Sequence, residues 1–271
     1  MLLQGKTVVV SGVGAGLGHQ VAAAVVREGG NAVLGARTEA NLAKSAAEID
    51  PDGTHTAHRT TDISDESQCE ALAALAVERF GGIDAVVHVA AWDSYFGGIQ
   101  DADFATWSQV LDVNLLGTLR MTRACLPALK ANANGGKAGS GGTGGSVVII
   151  GTQSAVAAPS EVQQAAYAAS KGALTSAMYS MARELGPHRI RVNTVLPGWM
   201  WGPPVQAFVT FTAHSEGIPE AEVRARLARR MALPDLATDG DVADAAVFFA
   251  SDRARAITGQ SLLVNAGELM R

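Results

Sequence analysis

TVVVSGVGAGLGHQVAAAVVREGG, residues 7–30, decides the fold. Its first part, TVVVSG (7–12), reads as a buried strand, and LGHQVAAAVVREGG (17–30) as a helix closed by glycine. Between them Gly12, Gly16 and Gly18 stand in a G-x-x-x-G-x-G spacing. Glycine permits the tight turn and lets main-chain N–H groups, that of Leu17 among them, approach an anion at the helix N-terminus. A glycine pattern alone is weak. A strand that runs into glycines and then a helix, this near the start, points to the diphosphate of a dinucleotide. A merely structural strand-to-helix turn is the alternative.

The same rhythm continues outward. NAVLGAR (31–37) reads as a second strand, EANLAKSAAEI as a helix, and 54–60 as a polar third strand. SDESQCEALAALAVERFGG is a helix that opens with a serine N-cap, Ser64, and ends on glycines. DAVVHVA (84–90), SVVIIG (146–151), RVNTVLPG (191–198) and QSLLVNAG (260–267) are further strands. Helices are expected near 103–115, 117–132 and 165–186, and over ADAAVFFAS. Alternating strands and helices, with near-continuously apolar strands, imply a parallel sheet covered on both faces.

Two segments break the pattern. NANGGKAGSGGTGG (132–145) reads as a flexible loop, and residues 199–235 as a long excursion of the kind that forms a substrate lid. The 271 residues are 48% hydrophobic and 17% charged, which suits a soluble globular chain. With a net charge of −5 and no basic cluster, nucleic acid is not an expected partner. No apolar run approaches the roughly 18 residues of a membrane span, so no membrane partner is expected either. The first residues show no targeting segment. Cys69 and Cys125 lack metal-ligand spacing and read as reduced core thiols of a cytoplasmic protein that holds no metal.

A carboxylate for a ribose 2′-hydroxyl would fall near Ala36, where there is none. Arg37 and Thr38 follow instead, and an arginine pairs with a 2′-phosphate, which favours NADP over NAD. Glu39 is close enough to take a 2′-hydroxyl instead. Asp62, followed by Ile63 after the third strand, could accept from the adenine amino group or cap a helix.

QSAVAAPSEVQQAAYAASKGAL (153–174) carries the chemistry. Tyr167 and Lys171, at i and i+4, share one face of the long helix. A tyrosine is a poor acid–base group at neutral pH, and a neighbouring ammonium favours its phenolate. Ser154 lies just past the fifth strand, at the sheet edge where open α/β sheets bind ligands. Small residues around Tyr167 leave room for a ligand beside the helix.

With Gly12, Gly16 and Gly18, Asn114 in DVNLLG, Ser154, the YAASK run and Pro197-Gly198, the chain resembles the short-chain dehydrogenase/reductase family over nearly its whole length. The resemblance implies that Tyr167 exchanges a proton with an alcohol or carbonyl oxygen. It implies that Lys171 binds the nicotinamide ribose and lowers the tyrosine pKa, that Ser154 positions the substrate oxygen, and that Asn114 holds a water linking the lysine to solvent. His88-Val89-Ala90-Ala91 replaces the family's N-N-A-G, with Ala90 and Ala91 expected to border the adenosine ribose. The threonine expected after Pro197-Gly198 is missing: Gly202 stands there, so the carboxamide needs another anchor, such as the Met200 backbone. Trp92, Tyr95, Phe96, Trp199 and Trp201 follow the fourth and sixth strands and suggest an aromatic pocket for an apolar or cyclic alcohol or ketone.

The expected fold is thus α/β: one Rossmann-like, doubly wound parallel sheet of order 3-2-1-4-5-6-7, residues 1–271 forming a single domain. The expected activity is NAD(P)-dependent hydride transfer to or from a secondary alcohol carbon. The alternatives are a non-catalytic dinucleotide sensor and an enoyl reductase, in whose relatives the tyrosine–lysine spacing is longer. The resemblance also implies a homotetramer or homodimer, with helices 117–132 and 165–186 as contact faces.

Overall fold

The computed structural model describes residues 1–133, 144–158 and 162–270. Residues 134–143, most of the glycine-rich loop expected at 132–145, lie outside the described residues. In chain order the elements are β1 (Thr7–Ser11), α1 (Leu17–Arg27), β2 (Asn31–Ala36), α2 (Glu39–Ile49), β3 (Thr56–Thr60), α3 (Glu66–Phe80) and β4 (Ala85–His88). Next come α4 (Phe104–Leu111), α5 (Thr118–Ala133), β5 (Gly145–Ile150), α6 (Ala165–Leu185) and β6 (Ile190–Pro197). Then follow β7 (Met200–Trp201), α7 (Pro203–Glu216), α8 (Glu220–Ala228), β8 (Ala237–Thr238), α9 (Asp239–Ala250) and β9 (Ser261–Val264).

The seven-stranded sheet has the order β3-β2-β1-β4-β5-β6-β9, with every neighbouring pair parallel. This is the expected doubly wound order. The seventh strand is β9 because β7 and β8 pair with each other in a separate two-stranded sheet that the sequence did not announce. Strand order reverses between β1 and β4, which opens a crevice at their carboxyl ends.

The pleat explains why the strands are apolar throughout. Val8 and Val10 of β1 enter a core with Val21 and Val25 of α1 and Val242 and Val247 of α9. Val9, between them, enters the opposite core with Leu72, Met121 and Leu174. Successive side chains face opposite layers, so a strand covered on both sides needs apolar residues at every position.

Two details differ from expectation. α3 is capped by Asp65, not Ser64: Asp65 Oδ1 accepts from Ser67 N at 2.9 Å and Gln68 N at 3.2 Å. Ser64 is instead held by Asp62 Oδ1, which accepts from both its N–H and its hydroxyl. The helices expected at 103–115 and 117–132 are α4 and α5, joined without a break by a π-helical turn, Asp112–Gly117. π-turns recur at functional sites because they redirect main-chain groups.

His88 ties the sheet to α5. It is buried in β4, with Nε2 2.9 Å from Thr122 Oγ1 and Nδ1 3.2 Å from Ser11 Oγ. The Thr122 hydroxyl spends its hydrogen on Thr118 O at 2.8 Å, so Nε2–H donates to Thr122 and Nδ1 accepts from Ser11. Burial, reinforced by the Lys171 charge, pushes the imidazole down to about 3. The unfolded chain takes up a proton below its ordinary value of 6.5, which the folded chain does not. This residue's contribution is therefore whole above 6.5 and is lost as pH falls from there. His88→Leu should lower stability by about 1–3 kcal/mol, since it orphans Ser11, read as a lower denaturant midpoint at unchanged slope.

Candidate active site

The crevice begins at the glycine turn. Gly12 has φ +98°, and a Cβ there would stand 2.2 Å from the Ala90 amide nitrogen. A Cβ on Gly18 would stand 2.2 Å from Gly12 O. These contacts fold the turn tightly beneath the start of α1. Gly16 occupies the N-cap, no side chain caps the helix, and its first turn holds no acidic residue. The first N–H groups, beginning at Leu17, are therefore free to meet an anion. Ala90 presses on Gly12 from β4's end, and Ala91 beside it is exposed.

At the ends of β2 and β3, Arg37 and Thr38 are exposed, and Thr38 caps α2 without a side-chain bond. Glu39 is turned away. Its two oxygens accept from Thr60 Oγ1 at 2.6 Å and bond His58 Nε2 at 3.1 Å, and the Thr60 hydroxyl chiefly holds its carboxyl below the usual range. Asp62 is half-buried and is held low first by the Ser64 hydroxyl and further by Arg37's charge. Ile63 is buried against Gly117 of the π-turn.

At the other end of the crevice, β5 runs into Thr152 and Ser154, and α6 returns Tyr167 and Lys171 beside them. Lys171 is 1% exposed, and its Nζ donates to Ile150 O at 2.7 Å. Nζ lies 5.9 Å from the centre of the Tyr167 ring. Burial pushes the ammonium down to about 8, against the opposing pull of Asp93. The Tyr167 phenol is pushed well above its ordinary value by burial, then by the Asp93 carboxylate, while a hydrogen bond with Thr152 works the other way. Ser154 donates its N–H to Thr152 Oγ1 at 3.2 Å, and its own hydroxyl has no partner among the described residues.

Asn114 sits in the π-turn, fully buried. Its Oδ1 accepts from Trp92 N at 2.6 Å, and its Nδ2 donates to Trp92 O and to Ser170 Oγ, both at 3.0 Å. The Asn114 main-chain carbonyl accepts from Thr118 Oγ1 at 2.8 Å.

Pro197 ends β6, and Gly198 is wedged between Asn265 Cβ and Gln153 Oε1, with no room for a side chain. Met200 O accepts from Gly202 N at 2.8 Å. A cavity of about 420 Å³ opens beside Ser154, between Gly98–Asp101 and the start of α6 at Ala165 and Ala168. The five aromatic residues expected as its walls are not among its lining. Trp92 Nε1 bonds Ser94, Tyr95's hydroxyl accepts from Asp103 N, and Phe96 is 63% exposed. Trp199 and Trp201 pack on a small separate core of α7 and α8, where Trp199 meets Phe208 at 5.0 Å and Arg224 covers Trp201 at 4.4 Å.

Sequence reasoning passed over Thr152, Ser170, Asp93 and Gln164. Thr152 touches the phenol, Ser170 holds Asn114, and Gln164 ties the start of α6 to Asp93 O. Ser170, inside YAASK, and Gln164 both lie within the 153–174 stretch already singled out, but neither was given a role there.

A family model described as enoyl-(acyl carrier protein) reductase matches residues 12–268. An L-rhamnose 1-dehydrogenase (NAD(P)(+)) of Azotobacter vinelandii is 32% identical, with 98% of each chain covered. A galactitol 2-dehydrogenase of Agrobacterium fabrum is 31% identical over the whole of both chains. The solved structure of a short-chain type dehydrogenase/reductase from Mycobacterium ulcerans superposes with a TM-score of 0.84 at 27% identity, covering 99% of this chain and 91% of that one.

Proposed function

We propose a reaction from one premise: the chain belongs to the short-chain dehydrogenase/reductase family, whose members are NAD(P)-dependent oxidoreductases. The proposed reaction is hydride transfer between the nicotinamide C4 and a secondary alcohol carbon or its ketone. The observation that carries it is the cavity that reaches a Ser154 hydroxyl with no partner among the described residues, next to a helix that holds Tyr167 and Lys171 one turn apart.

The residues present fit a dinucleotide. A turn too tight for any side chain at Gly12 or Gly18 leads to an uncapped helix start, which suits a diphosphate. Leu17, Ala90, Ala91, Asp62, Ile63, Pro197, Gly198 and Met200 border the same crevice in this reading. When bound, the nicotinamide ring would give the hydride in reduction and take it in oxidation. Ser154 donates its hydroxyl hydrogen to the substrate oxygen, and Tyr167 gives that oxygen a proton in reduction or takes one in oxidation. Lys171 turns its ammonium toward the nicotinamide ribose, and Asn114 fixes the Trp92 backbone beside them.

The substrate class is a cyclic secondary alcohol or ketone. Ile99, Val162, Ala158 and Ala165 offer the cavity an apolar wall, and Gln100, Asp101 and Gln163 offer polar groups. That mixture suits a ring with further hydroxyls better than a wholly apolar one. Residues 199–235 are read as the lid, and their small core of α7 and α8, separate from the sheet's two cores, supports that reading. Incubation with a panel of cyclic alcohols and NADP⁺ or NAD⁺, followed at the reduced-nicotinamide absorbance, tests the reading. An enoyl thioester with NADPH should give no turnover; turnover there and none with alcohols would favour the enoyl reduction named by the family model.

NADP is the proposed cofactor, because Arg37 is exposed at the β2 edge and Glu39 is engaged with β3 side chains. Arg37→Ala should raise the KM for NADPH about ten- to a hundredfold and barely move that for NADH. Added salt should weaken NADPH binding more than NADH binding. A homodimer or homotetramer fits Phe104, Leu116 and Tyr179, which are exposed along α4, the π-turn and α6. Buried, unpaired Cys69 and Cys125 fit a reducing cytoplasm.

A further inference from the structure

Asp239 opens α9 beside the glycine turn. β7 and β8 pair with Met200 next to Ala237 and Trp201 next to Thr238, so the residues that follow, Gly202 and Asp239, lie side by side. A Cβ on Gly202 would stand 2.2 Å from Asp239 Oδ1, and a Cβ on Gly16 would stand 3.2 Å from Oδ2. The carboxyl therefore fills the space that a side chain at 202 would take. It sits between the starts of α1 and α7, whose glycine N-caps lend no side-chain bond.

Asp239 is only 8% exposed, and its Oδ1 is buried without a hydrogen-bond partner among the described residues. Its own helix does not need it, because α9 is closed by a capping box between Thr238 and Asp241. A buried carboxylate oxygen left unpaired is costly to maintain, so the arrangement calls for a donor that arrives with a ligand. The proposed function, on which this inference rests, runs a dinucleotide from the α1 N-terminus to Tyr167, past Met200–Gly202. An ionised carboxylate accepts hydrogen bonds and repels phosphate oxygens, so its partner is an N–H or O–H group beyond the diphosphate. The ribose hydroxyls belong to Lys171 in that reading, which leaves the carboxamide. Met200 O, the nearby main-chain acceptor, takes Gly202 N and is left with one lone pair, whereas Asp239 Oδ1 has both of its own unused among the described residues.

We propose that Asp239 is a cofactor-contacting residue whose Oδ1 accepts a hydrogen bond from the carboxamide N–H₂ of the nicotinamide ring, in the place left empty at Gly202. The test compares equilibrium binding of NADP⁺ with that of its 3-acetylpyridine analogue, in which a methyl group replaces the amide nitrogen. Tryptophan fluorescence reads both without turnover. The unaltered protein should prefer NADP⁺ by about tenfold or more, as expected for a bond to a charged group, and Asp239→Ala should bring the ratio to about one. Asp239→Asn keeps an acceptor oxygen and should keep part of the preference. Gly202→Ala pushes the carboxyl aside and should lower the ratio with Asp239 still present, so the test survives if Asp239→Ala folds poorly. An unchanged ratio in these variants would overturn the proposal. So would a gain in affinity for both dinucleotides alike in Asp239→Ala, which would mean that the carboxylate only repels the diphosphate. If neither dinucleotide binds the unaltered protein, the proposed function itself falls and this inference with it.

Discussion

Tyr167→Phe is expected to lower kcat by about 10²–10⁴ while leaving dinucleotide affinity nearly unchanged, because the ring stays and only the exchangeable proton is lost. The environment sets the direction of the accompanying pH effect. Burial and the Asp93 carboxylate hold the phenol above its ordinary value, so near neutral pH it carries its proton. That is the form that protonates a ketone oxygen. Alcohol oxidation needs the phenolate, so its rate should rise with pH, about tenfold per unit while the phenol remains mostly protonated. Reduction should be flat near neutrality and fall only at alkaline pH. In the phenylalanine variant both slopes should vanish with the activity. Steady-state rates across pH in both directions, beside a fluorescence titration of the dinucleotide, check all of this. Near-normal turnover in the variant would remove Tyr167 from the proton path.

The resemblance led to an expectation that Lys171 lowers the tyrosine pKa, and the geometry qualifies that. Lys171 Nζ is committed to the Ile150 carbonyl, 5.9 Å from the ring centre, and burial brings its own value down to about 8. In the free protein, desolvation therefore governs the phenol. An activated tyrosine requires positive charge delivered from elsewhere, which a bound oxidised nicotinamide would bring. Acid–base readiness would then follow cofactor binding.

What was legible in the sequence is what repeats or stands at a fixed spacing. Val8, Val9 and Val10 are apolar on both faces because two helical layers cover β1, and that run alone marks a parallel strand. Tyr167 and Lys171 share a helix face at any pairing of the rest of the chain. The α3 cap was not legible: Ser64 and Asp65 both suit an N-cap, and Asp62's capture of Ser64 decided between them. β7 and β8 have two residues each, too short for any period, yet their pairing places Asp239 beside Gly202. The aromatic residues near β6 show a further limit. A tryptophan after a strand says that a large ring lies at the sheet edge, not whether it faces a ligand or, as Trp199 does, a neighbouring helix.

The second large effect is expected at Gly12. Its φ of +98° is a conformation that an L side chain adopts only under strain, and its Cβ would stand 2.2 Å from Ala90 N and 2.4 Å from Ala90 Cα. Those atoms cannot give way cheaply. Ala90 N and Val89 N both donate to Ser11 O at 2.8 Å, and Ser11 pairs with His88 in the β1–β4 ladder. Alanine at 12 must therefore lift the turn off β4 or break the end of that ladder, and either change moves the α1 N-terminus. Strain and overpacking together should reduce stability by about 2–5 kcal/mol. Dinucleotide affinity should fall by about a hundredfold or more, since a displacement of the main-chain N–H groups removes several charge-assisted bonds at once. Gly14→Ala supplies the contrast: a Cβ there meets nothing within 4 Å. That variant should bind within about threefold of the unaltered protein, as a surface change in open space ordinarily does. Binding titrations and denaturant melts of the two variants, measured side by side, decide the matter. An equal loss in both would mean that the turn tolerates no added carbon anywhere and that the approach to Ala90 is not what fixes the site.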